Sequence, residues 1–405
     1  MPAPPDAQVL LDDLLGRRAE LIDLLRRLVE AESPSLAPDT HDGAARVLEA
    51  ELAALGFQVR RLRGRSGGSQ VWARPADRER GRPLQLLLGH LDTVWPVGTL
   101  AHMPFEVDGD IVRGPGVFDM KGGLAMLLLA LAALRRHRLE PSLTPVVFVN
   151  SDEEVGSHES GEHIRRLARR VRRTWVLEPA LGPGGQLKTA RKGVARFTIR
   201  IYGRAAHAGL EPEAGASAIL ELSHVIHRLF ALNDAARGIS VNVGTVDGGL
   251  RPNVVAPESR AVADVRVCSE EDAQRVEAAI RALRAATPGT RLEVHGGFGR
   301  PPMERTARNR ALWGLACDAA ARLGLELEEG LAGGGSDGST TSLFTATLDG
   351  LGPVGAGAHA PDESLFLGPT LQRTALLALL LLAPEVGAGT EAAAPAVRSG
   401  AMGER

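Results

Sequence analysis

Five residues of metal-ligand type each close a short apolar run: His90 in LLLGHLDTV, Asp119 in GPGVFDMKGG, Glu154 in VVFVNSDEE, Glu178 in WVLEP and His359 in GAGAHAPDE. A chain can use them together only in a fold that brings several strand ends to one edge, which is where open α/β sheets hold their ligands. Two histidines and three carboxylates, with no thiolate among them, make an oxygen and nitrogen donor set that suits a pair of divalent ions such as zinc. Such a set points to a hydrolase.

The surrounding pattern agrees with that constraint. Residues 8–32 and 42–55 carry apolar positions at helical spacing, and FQVRRLR, SQVWAR and LQLLLGH read as strands. A helix follows Gly122-Gly123, TPVVFVNS (144–151) is a buried strand, HESGEHIRRLARRV (158–171) an amphipathic helix and TWVLEP another strand. This alternation predicts an α/β domain with a mixed, largely parallel sheet flanked by helices. From about residue 192 the style changes. VARFTIRIYG, ISVNVGTVDGG, SRAVADVRV and RLEVHGG alternate as strands, and GASAILELSHVIHRLFAL and EEDAQRVEAAIRALRAA are helical, giving the β-α-β-β-α-β order of a ferredoxin-like α+β unit. The α/β style resumes after Pro301-Pro302, and because His359 lies there the smaller unit must be an insertion. The expected division is a catalytic domain in two parts, 1–190 and 302–386, an inserted domain over 191–301, and a disordered tail over 387–405. A length of 405 residues fits two cores better than one.

Charge narrows the partners. With 47 Lys and Arg against 49 Asp and Glu, a net charge of -2 and no block of one sign, nothing in the chain favours nucleic acid or an acidic membrane surface, and a small-molecule partner is expected. Lysine occurs only at Lys121, Lys188 and Lys192. Cys268 and Cys317 match no zinc or redox spacing. The N-terminal stretch carries Asp6, Asp12 and Asp13 on a helical period, unlike a signal peptide. The apolar runs LAMLLLALAAL (124–134) and TALLALLLLAP (374–384) are shorter than the roughly 20 residues that span a bilayer. Both are expected to be buried helices of a cytoplasmic protein.

Each candidate residue has a plain alternative. Asp92 stands two residues after His90, on the same side of an extended strand, so it can accept the ring's distal N–H and orient the ligating nitrogen; a lone His-x-Asp pair is more often structural. Asp119 sits among glycines, where a single carboxylate can bridge two cations or simply cap a helix. Glu153 and Glu154 end a buried strand and point different ways, so one can ligate metal while the other faces substrate as general base; paired acids are otherwise solvated surface. Glu178 closes an apolar strand and needs a cation nearby. HESGEH only looks like a zinc-protease helix: the residue four after His158 is Glu162, so the HExxH pattern fails and a helix-surface pair is expected. GGGSDGSTTS (333–342) lacks the ending of a P-loop. Its Gly335 and Ser336 offer either a backbone cradle for a substrate carboxylate or carbonyl, or a plain loop-to-helix turn.

Taken in order, GHLDTV, GPGVFDMKGG, NSDEEVGS, EPA, GRAAHAG, GGGSDG and HAPDE resemble the zinc-dependent M20 metallopeptidase family, in its glutamate-carboxypeptidase-like branch, over about residues 20–385. The resemblance implies two zinc ions per subunit, replaceable by cobalt or manganese, one held by His90, Asp119 and Glu178 and the other by Asp119, Glu154 and His359. It implies that Asp92 orients His90 and that Glu153 takes the proton of a metal-bridging water attacking an amide carbonyl, then delivers it to the leaving nitrogen. It implies a cis peptide at Asp119-Met120. The inserted domain resembles the family's lid and dimerisation domain, so a homodimer is implied, with His207 reaching the partner's site to stabilise the oxyanion. Arg266 and Asn253 match residues that bind a substrate's terminal carboxylate. The branch's glutamate-recognising lysine falls on Gln186 here, and Lys188, two residues on and on the same strand face, can replace it.

The activity so implied is removal of a C-terminal amino acid, acidic residues such as glutamate included, from a peptidyl or N-acyl substrate. The alternatives are an aminoacylase or N-acyl-amino-acid deacylase, or a dedicated biosynthetic amidohydrolase of the same family. A metal-binding scaffold without catalysis is disfavoured by the intact Glu153.

Overall fold

The computed structural model describes residues 6–385, so the tail over 387–405 lies outside the described residues. Six strands form the main sheet, in the spatial order Phe57–Arg63, Ser69–Pro75, Thr144–Asn150, Leu84–His90, Arg173–Val176 and Ala346–Leu348. The first three pair antiparallel and the remaining pairings are parallel. Every residue of Thr144–Asn150 is buried, as a strand covered on both faces requires.

Register places the site. His90 pairs with Asn150 and Leu88 with Val176, so the chain leaves three adjacent parallel strands at the same edge, through His90, through Ser151 to Glu154, and through Leu177 and Glu178. Helices Gly122–Arg136 and Leu367–Leu382 pack against each other and share one apolar core with the N-terminal helices. The stretch Val117–Arg136, an irregular turn followed by helix Gly122–Arg136, is apolar enough to cross a membrane by length and composition, yet 89% of its apolar window is buried inside the protein. It is a core helix.

Two helices end earlier than their periodicity predicts. The stretch 8–32 is two helices, Ala7–Leu15 and Arg18–Glu30, because the chain turns at Gly16, whose N–H donates to the Asp12 carbonyl while Arg17 donates to Leu14. The stretch 158–171 is helical only over Gly161–Ala168. Asp152 Oδ2 accepts the Glu159 and Ser160 N–H groups at 2.7 and 3.2 Å and holds the preceding residues in a turn, so His158 lies outside the helix and Glu162 pairs with Arg166 instead.

The segment between Gly193 and Arg300 builds its own four-stranded antiparallel sheet, in the order Ser240–Gly248, Glu258–Val267, Gly193–Tyr202, Arg291–Arg300. Alternate residues of Gly193–Tyr202 are buried, and Phe197, Ile199 and Ile201 meet Leu222, Val225 and Val276 from helices Ala218–Phe230 and Glu270–Arg281 in a second, separate core. Ser217 and Ser269 cap those helices by accepting the Leu220 and Asp272 N–H groups. The ferredoxin-like strand order follows, and the last strand returns Arg300 to the catalytic sheet.

Candidate metal centre

His90 ends its strand with the imidazole 1% exposed. Nδ1 lies 2.9 Å from the Asp92 carbonyl oxygen and 3.5 Å from Asp92 Oδ1. Nε2 lies 3.3 Å from Asp119 Oδ1 and 3.5 Å from Glu178 Oε1, and it is a buried atom with no hydrogen-bond partner. Burial opposes charge on this ring, but Asp119, Asp92 and Glu178 outweigh it and raise the His90 pKa well above its ordinary value. The pocket therefore demands positive charge, from a proton or from a metal ion.

Asp92 is fully buried beneath the ring. Its Oδ2 accepts from Ser35 Oγ at 2.7 Å and from the Glu154 N–H at 3.2 Å, and its Oδ1 accepts from the Glu153 N–H at 3.3 Å. Asp92 thus holds the imidazole chiefly through its backbone carbonyl, while its carboxylate fixes the acid-bearing loop.

Asp119 sits in an irregular turn, Val117–Lys121, with φ -113° and ψ 99°, and the Asp119-Met120 peptide is cis. Its Oδ1 faces His90 and its Oδ2 lies 3.6 Å from His359 Nε2, so one oxygen is directed at each histidine. His359, held in a left-handed backbone conformation at φ 62°, approaches Glu154 at 3.1 Å. The Glu154 carboxylate, then burial and Asp119, set the His359 pKa, which is pushed up to about 9. Glu178 Oε2 accepts from Arg191 Nη2 at 3.0 Å and stands 4.0 Å from Lys188 Nζ. Burial would raise the Glu178 pKa, but Arg191, His90 and Lys188 hold it well below the usual carboxylate range. Two groups, His90 with Asp119 and Glu154, and His90 with Glu153 and Glu178, place possible ligand atoms within 4.8 Å of one another. The donor chemistry fits divalent ions bound by nitrogen and oxygen.

Glu153 lies beside this cluster, and its Oε1 accepts from Arg300 Nη2 at 2.8 Å. Burial raises its pKa well above the carboxylate range even against the Arg300 charge.

Several residues that build the site carry no distinctive sequence signal. Arg191 holds Glu178 while its Nε and Nη2 donate to Asp349 at 2.8 and 2.9 Å. Arg300 bonds Asp337, Ser157 Oγ and the Glu153 carbonyl as well as the Glu153 carboxylate. Asp337 in turn accepts from Ser157 Oγ at 2.6 Å and Asn150 Nδ2 at 2.8 Å. Asp337 and Glu363 lie inside the motifs GGGSDG and HAPDE, where the glycines, the serine and the histidine carry the stronger signal.

The remaining expected residues divide. Lys188 is buried beside Glu178, whereas Gln186 turns away and donates to Glu328. Ser336 caps helix Asp337–Thr341 and donates to Asp349 Oδ2 at 2.6 Å, so its hydroxyl is engaged in the turn. At Gly335 a Cβ would stand 2.7 Å from the Arg300 Cβ, so this glycine makes room for that arginine. Arg266 directs its fork at Asp264, at 2.7 and 3.0 Å, and donates to the Gly333 carbonyl at 3.3 Å. His207 and Asn253 are exposed neighbours on the inserted segment, joined by the Ala208 N–H donating to the Asn253 carbonyl. Among the described residues, neither side chain is hydrogen-bonded or ion-paired to the metal-ligand cluster of its own chain.

The chain is similar to known proteins in sequence and in fold. Residues 86–383 match Peptidase family M20/M25/M40. Carboxypeptidase G2 of Pseudomonas sp. (strain RS-16) is 30% identical over 391 residues, covering 94% of this chain and 92% of that protein. The crystal structure of aminopeptidase PepT from Bacillus cereus superposes with a TM-score of 0.76 at 20% identity, covering 90% of this chain and 98% of that one. The YXEP protein of Bacillus subtilis, a dinuclear metal binding peptidase from the M20 family, superposes at 0.65 with 17% identity, covering 91% and 98%. The chain belongs to peptidase family M20/M25/M40.

Proposed function

We propose that the chain is a cytoplasmic, homodimeric di-zinc amidohydrolase that releases a C-terminal amino acid, with acidic residues favoured, from a peptidyl or N-acyl substrate. The observation that carries this reading is the Asp119 carboxylate, with one oxygen directed at His90 and the other at His359. His90, Asp119 and Glu178 would hold one ion, and Asp119, Glu154 and His359 the other. Bound ions of this kind supply Lewis acidity, acidifying water and polarising an amide carbonyl.

The chain's own residues supply the rest. Asp92 keeps the His90 ring turned so that Nε2 faces Asp119 and Glu178. Glu153 takes a proton from the attacking water at a carboxylate oxygen and delivers it to the leaving nitrogen. Arg300, already within reach of Glu153, keeps that carboxylate in one place. Lys188 supports the acidic preference, because its buried ammonium stands beside the site without a carboxylate closer than Glu178 at 4.0 Å. Arg266 and Asn253 are assigned to the substrate's terminal carboxylate.

Dimerisation through the inserted domain is supported by its outer surface. Ser240–Gly248 is an edge strand, and Ile219 and Leu250 are 47% and 71% exposed near His207 and Asn253. His207 then serves the partner's site. Cobalt or manganese would occupy the same donors. The test is hydrolysis of a panel of N-acyl amino acids: release must depend on a free α-carboxylate, and equal cleavage of α-carboxamides would favour a deacylase instead.

A further inference from the structure

Glu363 is fully buried, four residues beyond His359 and outside the ligand set. Its carboxylate accepts four hydrogen bonds. Oε1 takes the N–H groups of Phe118 and Asp119, each at 2.9 Å, and Oε2 takes the Gly116 N–H at 2.9 Å and the Trp95 indole N–H at 2.8 Å. Trp95 follows His90 on the same loop, residues 116–119 form the turn that carries Asp119, and Glu363 shares its loop with His359. One carboxylate therefore fastens three of the ligand-bearing segments. The turn it holds is irregular, so Asp119 has no helix or strand ladder to fix its direction.

We infer that Glu363 is a positioning residue for the metal centre, holding Asp119 with one carboxylate oxygen toward each histidine before any ion arrives. The four donors are charge-assisted partners of a buried anion, an arrangement that is stiff because every acceptor site has a fixed donor. Loops that bring ligands to a metal gain affinity when their direction is set in advance. The role rests on the metal-centre assignment but concerns its assembly, not the reaction.

Glu363→Gln tests it. The amide keeps the size but must face one pair of N–H donors with its own NH2, losing two hydrogen bonds. Cobalt affinity of the metal-stripped full chain, read by competition with a chelator, is expected to fall about 10- to 100-fold. In an Asp119→Asn background the same change is expected to add less than about threefold, because the two residues act as one unit. Unchanged affinity, or an equal loss in both backgrounds, would overturn the inference. Should the variant fail to fold, hydrogen exchange of the metal-free wild-type chain decides. Amides of Gly116, Phe118 and Asp119 are expected to be protected without metal, and free exchange until cobalt is added would refute the assignment. A wild-type chain that binds no cobalt would instead remove the metal centre itself.

Discussion

Arg300 Nη2 lies 2.8 Å from Glu153 Oε1, reaching the acid from the final residue of the inserted segment's last strand. Both side chains are about nine-tenths buried, with 10% and 12% exposed, so this is a desolvated pair in which each partner depends on the other. It also joins the inserted segment to the catalytic sheet, because the same guanidinium bonds Asp337.

Replacing Arg300 by alanine leaves Glu153 and Asp337 without their shared cation. The expected result is a loss of roughly 3 kcal/mol of stability, as for other buried pairs broken from one side. A fall in kcat/KM accompanies it. Arg300→Lys keeps the charge but not the fork, and is expected to restore only part of either quantity. Thermal unfolding and steady-state kinetics on the same preparations check both.

Glu153→Gln retains the shape of the base and removes its proton-accepting oxygen pair. Bound zinc is expected to remain, while kcat falls by about 10²- to 10⁴-fold. Elemental analysis beside turnover separates this from loss of metal, and wild-type turnover would show that another group takes the proton.

Lys188→Met preserves the stem and deletes the charge. Cleavage of substrates ending in an acidic residue is expected to weaken about 10-fold relative to those ending in a neutral one, as loss of a charge-assisted contact predicts. A variant with unaltered preference would remove Lys188 from substrate recognition.

His207→Ala and Glu153→Ala are each expected to be nearly inactive alone. If His207 serves the partner's site, mixed dimers contain one intact site, and random mixing of equal amounts restores about a quarter of wild-type activity in a two-fold symmetric dimer. No recovery after subunit exchange would place His207 in its own site, and an active His207→Ala chain would place it outside catalysis.

Glu221 offers a pH test far from the metal centre. It is fully buried in the inserted segment, where it accepts the Ala286 and Thr287 N–H groups at 2.9 and 2.6 Å and pairs with Arg228 at 2.9 Å. Burial raises its pKa, but the Thr287 and Ala286 bonds and the Arg228 charge outweigh it, so the folded pKa is lowered. Its stabilisation is therefore full above the unfolded value of about 4.3 and lost as pH falls through the folded one. Glu221→Gln is expected to lower the melting temperature at neutral pH, with the gap from wild type closing on acidification.

Much of the catalytic sheet was legible because its central strands are buried on both faces, and TPVVFVN and LQLLLGH leave continuous apolar runs that end at the site. The inserted unit was legible from its alternation, seen in Gly193–Tyr202. Arg191 and Arg300 were not, since arginine is common throughout this chain and their partners Asp349 and Asp337 are distant in sequence. A glycine-rich run before a short helix suits a ligand cradle and an N-cap equally, and the structure shows the Ser336 hydroxyl in the cap position, accepting the Gly338 N–H and donating to Asp349. Helix ends at Gly16 and near Ser160 were set by local hydrogen bonds that apolar spacing does not record.

The proposed reaction is cleavage of an amide next to a free C-terminal carboxylate by a chain that would hold two ions around Asp119. Its most direct test is to strip the chain of metal, add zinc stepwise and follow hydrolysis of an N-acyl glutamate beside its α-carboxamide. Hydrolysis of the acid is expected to be absent without metal and to level off at two zinc ions per chain, with the carboxamide left intact. Full turnover in the metal-free chain, a plateau at one ion, or equal cleavage of the carboxamide would contradict the account.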